Sequence, residues 1–352
     1  MKTRLLNYWN GLTPTGRARL VLGCALAVVA LFLLFAPKPW MVEASPGARV
    51  SVGYCVKVYS WWGGAVALAG LAALIATARW WMRPLPAAVL QPTEAERATL
   101  ARRTPRWFWP LVGAAMLITA VAGYQRLGFS LWDDEIYNLR RFVHGDYRLK
   151  DDGTAEFRER SWRTTLQDYR KPNNHILHSV MARAAVGAWK MFRDPAGPPF
   201  SETAFRVPAF LFGIASVGGL AWLLKELALA RAGVLAAFLL AMHPWHLRYA
   251  SEGRGYSMVL FLLPVLLVCW LRAMRTGRWR WWIATGAVQF ALLYAYPATA
   301  YPVLGLNIVT FGLLLARRPL QVAPWVPAGR WLVSGAVAAM AFVWLFLPCV
   351  PQ

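Results

Sequence analysis

The 352-residue chain is 58% hydrophobic, has a mean hydropathy of +0.40, contains 20 Trp and carries a formal net charge of +22. Soluble domains are about 45–50% apolar, so the composition excludes an ordinary soluble protein. The charge at first suggests a nucleic-acid partner, but its placement along the chain assigns it to membrane topology, and nucleic acid is set aside.

Nine apolar runs follow one another, at roughly 20–36, 62–78, 108–125, 206–224, 232–247, 257–271, 281–296, 298–316 and 331–349. None carries Asp, Glu, Lys or Arg in its middle. A run of about 17–20 apolar residues crosses a hydrocarbon core ~30 Å thick, which predicts an all-α polytopic membrane protein. The first run is followed by "FAPKPW", which lacks a small-x-small cleavage site, so it is expected to stay as an anchor. With the N-terminus placed inside, inner segments hold 19 Lys and Arg and the short outer segments hold six. That bias predicts an N-in, C-out topology.

Residues 1–106 read as a two-span extension followed by a basic cytoplasmic linker, "RPLPAAVLQPTEAERATLARRTPR". Within the linker "TEAERATLARR" has the pattern of a short amphipathic helix. The first outer loop, 37–61, alternates polar and apolar residues in "ARVSVGYCVKVYSW" and suits a small β-hairpin. Four cysteines define no disulfide framework: Cys24 and Cys269 lie inside spans, while Cys55 and Cys349 near the outer face are permitted to pair.

Residues 107–352 form the core, and its outer loop 126–204 is the one long loop, with eleven of the sixteen acidic residues. "EIYNLRRFV" and "NNHILHSVMARAAVGAWKMF" carry apolar residues at helical spacing and read as helices lying in the membrane interface, the second capped by Asn173 or Asn174. Between them "GDYRLKDDGTAEFRERSWRTTLQDYRK" reads as a polar excursion. Six spans with very short turns complete the chain.

On this topology "DDE" at 133–135, "KPNNHILH", "SEGRGY" and "YAYPATAY" all reach one side of the membrane. A carboxylate there suits a general base for a hydroxyl or amine. An arginine such as Arg254 suits a phosphate, through planar charge-assisted hydrogen bonds that hold charge as a bond breaks. Carboxylates also bind Mg²⁺ or Mn²⁺. Each feature has an ordinary structural reading too. An acidic triplet starts a helix, Glu252 and Arg254 can form a solvated turn pair, His175 and His178 can simply pack, and Tyr294, Tyr296 and "RWRWW" at 278–282 suit a belt of interfacial aromatics.

"SLWDDEIYNL" resembles the "LWxDExY" signature that follows the first core span of GT-C membrane glycosyltransferases, a group that includes protein mannosyltransferase and aminoarabinose transferase relatives. "AFRVPAFLFGIASVGGLAWLLKEL" resembles their "RLPSALFG" span, and "RYASEGRGYSMVLFLL" resembles their "YxxEARxYxL" turn at Tyr249, Glu252, Arg254 and Tyr256. "LLYAYPATAYPVL" resembles the next hairpin, and "NNHILHSV" sits where relatives carry a juxtamembrane helix. The likeness covers about 126–352 and implies a GT-C-like core that transfers a sugar from a polyprenyl-phosphate donor to an extracytoplasmic lipid, glycan or protein, with inversion. It implies Asp134 as base or acceptor orienter and Glu135 as a supporting or metal-adjacent group. Arg254, Tyr256, Glu252 and Lys171 are then expected at the donor phosphate, and Asp134, Glu135 and His175 around any Mg²⁺ or Mn²⁺. An inner- or plasma-membrane enzyme with its site on the extracytoplasmic face is the resulting expectation. Relatives carry one span before the acidic motif against three here and read on past "LFLPCVPQ", so a compact member, a fragment or a degenerate copy is expected. A lipid-linked sugar flippase and an inactive scaffold of the same fold are the alternatives.

Overall fold

The computed structural model describes residues 9–42, 51–82, 104–169, 173–194, 200–316 and 325–352. Seven helices are long and apolar enough to cross a membrane, which makes the chain a predominantly helical, polytopic integral membrane protein. Contacts divide it into two compact units, and each recruits segments far apart in sequence.

The first unit comprises Met1–Pro92, Arg272–Phe290 and Tyr301–Gln352. Helix α1 (Pro14–Phe35) starts sharply because Thr13 caps the Gly16 amide at 3.1 Å and Pro14 occupies the first turn, where its missing N–H costs nothing. Helix α2 (Val52–Trp81) is capped by Ser51. Close packing of this helix depends on glycine. A Cβ on Gly63 would lie 2.9 Å from the Trp344 Cα, and one on Gly70 would run into the Met340 sulfur. Small residues let helix backbones approach in lipid, where packing replaces the hydrophobic drive. Trp344 then donates to the Ser60 carbonyl at 3.1 Å.

The expected hairpin at 37–61 does not form where it is described. Val52–Tyr59 is already helix in α2, because a serine N-cap and an unbroken apolar continuation outweigh a short alternating pattern. Residues 43–50, and the helix expected in 93–103, lie outside the described residues. No disulfide links the four cysteines.

The second unit comprises Thr93–Leu271 and Ala291–Ala300. Helices α3 (Phe108–Tyr124), α7 (Glu202–Glu226) and α8 (Ala230–Met242) share a core of Phe108, Val112, Ala115, Val217, Ala221, Ala237 and Ala241. Helix α8 has 13 residues and is about 20 Å long, short of a perpendicular crossing. A tight turn with Ala228 at φ 64° joins it to α7.

The long loop folds as a cap of small elements. Helix α4 (Asp133–Asn138) passes into a π-turn at Leu139–Val143, then strands β1 (Gly145–Leu149) and β2 (Ala155–Glu159), α5 (Trp162–Gln167) and α6 (Ile176–Phe192). The strands pair antiparallel, Gly145 opposite Glu159. This hairpin is a small exception in a predominantly helical chain and lies within 145–171, read from sequence as a polar excursion. Its turn is set by Asp152, which accepts from the Thr154 amide at 2.9 Å, and by Gly153 at φ +80°. Helix α6 is capped at His175, not at Asn173 or Asn174. The apolar stripes of the π-turn and α6 meet α7 in one cluster, Leu139, Val143, Ala182, Val186, Ala204 and Phe205. Short helix α9 (Pro244–Ala250) precedes α10 (Tyr256–Thr276), and α11 (Trp279–Ala295), α12 (Ala300–Ala316) and α13 (Trp325–Phe346) complete the chain.

Candidate functional site

Four helix ends converge in the second unit: the end of α3, the first turns of α7 and α10, and the tail of α11. The acidic triplet sits among them in three different settings. Asp133 is exposed, Asp134 is half-buried, and Glu135 is fully buried.

Glu135 is held from both sides. Arg206, one turn into α7, donates Nε to Oε1 at 2.8 Å and Nη2 to Oε2 at 2.5 Å. The same guanidinium donates to the carbonyls of Arg126, Leu127, Phe129 and Ser130, between 2.6 and 3.2 Å. Glu135 also accepts from the Trp132 amide at 3.3 Å and the Gly253 amide at 2.5 Å. A planar fork matched to a carboxylate is the arrangement arginine favours when buried. Sequence reading assigned Arg206 only to the outer charge count. A lone cation at the mouth of an apolar span was the available signal.

The Gly253 contact draws the "SEGRGY" turn down onto α4. Both glycines of the turn are required by proximity. A Cβ on Gly253 would overlap the Phe205 ring, and one on Gly255 would lie 2.8 Å from His175 Nδ1. Arg254, between them, is 2% exposed. It donates Nη1 to the Asp134 carbonyl at 3.3 Å and Nη2 to the Asn173 side-chain oxygen. Its guanidinium lies 5.8 Å from the Tyr256 ring centre. Its buried Nε has no hydrogen-bond partner. Among the described residues no carboxylate comes within 4.0 Å of it. Asn173 bridges onward, donating to Asp134 Oδ1 at 3.4 Å.

His175 accepts the Gly255 amide on Nδ1 at 3.0 Å. Burial first, then Arg254 and His178, hold its pKa well below the usual histidine value. A neutral ring that accepts on Nδ1 carries its proton on Nε2. That Nε2 lies 3.3 Å from Arg254 Nη2, so two donors face the same space. The ring stacks on Tyr296 at 5.0 Å and meets the edge of Tyr256 at 4.9 Å. Tyr296 therefore lines the cluster, although the sequence alone reads it as a belt aromatic. One turn on, His178 is fully buried, neither ring nitrogen has a partner, and burial followed by Arg254 pushes its pKa down to about 3.

Glu252 is buried and faces the other way. Its Oε1 accepts from Arg248 Nε at 2.8 Å, while Oε2 has no partner. Burial raises its pKa above the usual carboxylate value, against the lowering effect of Arg248. Asp134, Glu135 and His175 are the residues expected around any Mg²⁺ or Mn²⁺. Both oxygens of Glu135 accept hydrogen bonds from Arg206, and no group of three or more His, Cys, Asp or Glu gathers as ligands among the described residues. Lys171 lies outside the described residues.

The site thus belongs to a polytopic membrane protein in which a half-open carboxylate adjoins a buried arginine at the ends of apolar helices. No family model, curated protein or solved structure matches the chain.

Proposed function

We propose that the chain is a GT-C-type glycosyltransferase that moves a sugar from a polyprenyl-phosphate donor to an extracytoplasmic acceptor. One observation carries the reading: Arg254 is a buried guanidinium whose hydrogen bonds go to the neutral Asp134 carbonyl and Asn173 side chain, with an unpartnered Nε and no carboxylate within ion-pair distance among the described residues. An arginine does not shed its proton, so a buried one calls for a negative partner. A lipid phosphate supplies that charge, and the His175 Nε2–H beside it supplies a second donor.

In this reading Asp134 takes the proton of the acceptor hydroxyl or amine. The acceptor's electron pair forms the new bond to the anomeric carbon as the bond from that carbon to the phosphate oxygen breaks. The leaving polyprenyl phosphate keeps that electron pair, and Arg254 and His175 stabilise its charge. Backside attack inverts the anomeric centre. Glu135 and Arg206 position the machinery by tying α4, α7 and the Gly253 turn together. The proposed topology has nine crossings, N-in and C-out, with the cluster on the extracytoplasmic face of the inner or plasma membrane. The order of motifs "LWDDEIY" and "YASEGRGY" supports the family assignment.

The test is transfer by purified full-length protein from a panel of polyprenyl-phosphate sugars to membrane lipid and glycan acceptors, with Arg254→Lys alongside. Lysine keeps the charge but loses the planar fork, and loss of a charged hydrogen bond corresponds to about 1.5–3 kcal/mol of donor binding or turnover. Turnover by the parent and a loss of that size in the variant support the reading. Movement of the lipid-linked sugar across the bilayer with no transfer identifies a flippase instead.

A further inference from the structure

The first unit holds a cavity of its own, of about 650 Å³. Its wall is almost wholly apolar, with Leu22, Trp81, Trp279, Phe290, Val333 and Ala338 among its lining. Helix α1 contributes Pro14, Arg17, Ala18, Val21 and Leu22, the one-face spacing of an α-helix. Every lining residue belongs to the first unit, whereas the Arg254 cluster lies entirely in the second.

Three observations define what this cavity takes. A volume within the ~300–1,000 Å³ range of ligand pockets, walled by aliphatic and aromatic side chains, suits a hydrocarbon chain. Three of the four contributing helices, α1, α2 and α13, are long and apolar enough to cross a membrane, and the crossing segment of α1 is only 6% buried, which leaves that side of the cavity to lipid. Arg17 is the one charged side chain in the lining. It donates Nε to the Trp9 carbonyl at 3.0 Å and Nη2 to the Asn10 carbonyl at 3.1 Å, which fixes the guanidinium at the end of α1.

The composition of this unit is one-sided in charge. The first unit has sixteen Lys and Arg and a single acidic residue, Glu43. Arg330 lies 5.4 Å from the ring centre of Trp279, itself part of the lining. An apolar slot with a pinned cation at its edge fits an amphiphile whose head is negative. A basic side chain at a membrane surface attracts anionic lipid but gives a zwitterionic head no net advantage.

We propose that this cavity is a binding site for an anionic phospholipid, one acyl chain lying between α1, α2, α11 and α13 and its phosphate against Arg17. No acidic residue is among the lining residues of the slot, so the lipid supplies the negative charge that Arg17 lacks there.

The test is native mass spectrometry of the full chain in detergent, titrated with dioleoyl phosphatidylglycerol or dioleoyl phosphatidylcholine, which share their chains and differ in charge. Phosphatidylglycerol is expected to be retained about fivefold better, the ratio one engaged basic side chain gives. Arg17→Gln should bring the ratio to about one, and Arg17→Lys should keep most of it. Ala287→Phe, at an exposed position on the lining, should lower retention of both lipids by filling the slot while the protein keeps its melting temperature in detergent. Equal retention of the two lipids by the parent, or an unchanged ratio in Arg17→Gln, overturns the proposal. Displacement of phosphatidylglycerol by an equimolar polyprenyl phosphate also overturns it, because the cavity would then serve the donor.

Discussion

Asp133, Asp134 and Glu135 are adjacent in sequence but chemically unlike, and substitution should separate them. Asp133 points to solvent, so Asp133→Asn is expected to be nearly silent. Asp134 keeps a half-exposed carboxylate, so Asp134→Asn should leave melting unchanged and lower turnover by about 10²–10⁴-fold, the usual worth of a general base. Glu135→Gln removes the counter-charge of buried Arg206 and should cost folding stability, with breaking of a buried pair worth roughly 3–5 kcal/mol. Turnover and detergent melting of the three variants read this directly, and equal mild effects at all three would reduce the triplet to a helix start. His178 gives a second residue-scale expectation. Its pKa is about 3 in the fold against 6.5 for an unburied ring, so the unfolded chain binds the extra proton. Its contribution to stability is therefore complete above pH 6.5 and lost as pH falls toward about 3. His178→Leu should melt at or above the parent's temperature at pH 7 and lose less stability between pH 6.5 and 4.5. A steeper acid loss in the variant would contradict the burial argument. Asp134, Arg254 and His175 stand out in the sequence because charge and histidine are conspicuous in an apolar chain. The sequence does not show that Glu135 belongs to Arg206, because the two lie 71 residues apart and only the packing of α7 against α4 joins them.

Among the elements, the Ser251–Gly255 turn matters most, because it carries Arg254 into the interior on two close approaches. Gly253→Ala keeps the amide that binds Glu135 but drives a methyl into the Phe205 ring, which already packs beside His178. Overpacking of that kind costs about 1–3 kcal/mol. Melting should fall accordingly, and adding Phe205→Leu should restore part of the loss by making room. Additive losses in the double variant would mean that the strain lies elsewhere. The turn's position between two spans was legible from hydropathy, and its glycines from the sequence itself. The β-hairpin at Gly145–Glu159 was legible in its Asp-Asp-Gly turn and in the alternation of Tyr147 and Leu149 with Ala155 and Phe157, a pattern only two apolar residues long on each strand and too short to stand out. The opposite error at 37–61 has the same origin: alternation over a few residues does not outweigh a capped helix that continues for 30 residues.

At the scale of the molecule, hydropathy made the membrane class legible but not the two units. Each unit joins distant segments through small-residue contacts, such as Gly63 and Gly70 of α2 against Trp344 and Met340 of α13, which leave no periodic mark in sequence. Sidedness rests on charge alone. Helix α7 has 25 residues, about 37 Å, long enough for its two ends to reach opposite faces of a bilayer. Arg206 and the cluster lie at its first turn, and exposed Arg231 follows its far end. The proposed N-in, C-out topology, argued from the enrichment of Lys and Arg in the inner segments, predicts the Arg231 end inside and the cluster outside. Single cysteines in a background stripped of the four native ones test this without any assay of transfer. Asp152→Cys, on the exposed hairpin turn of the same cap, should react with an impermeant maleimide in intact cells. Arg231→Cys and Arg278→Cys should react only after permeabilisation, since α10 carries the chain from the cluster to Arg278 in one crossing. Labelling of Asp152→Cys only from inside would turn the Arg254 cluster toward the cytoplasm. A donor presented on the outer leaflet would then be out of reach, and the transferase reading would fail with the topology.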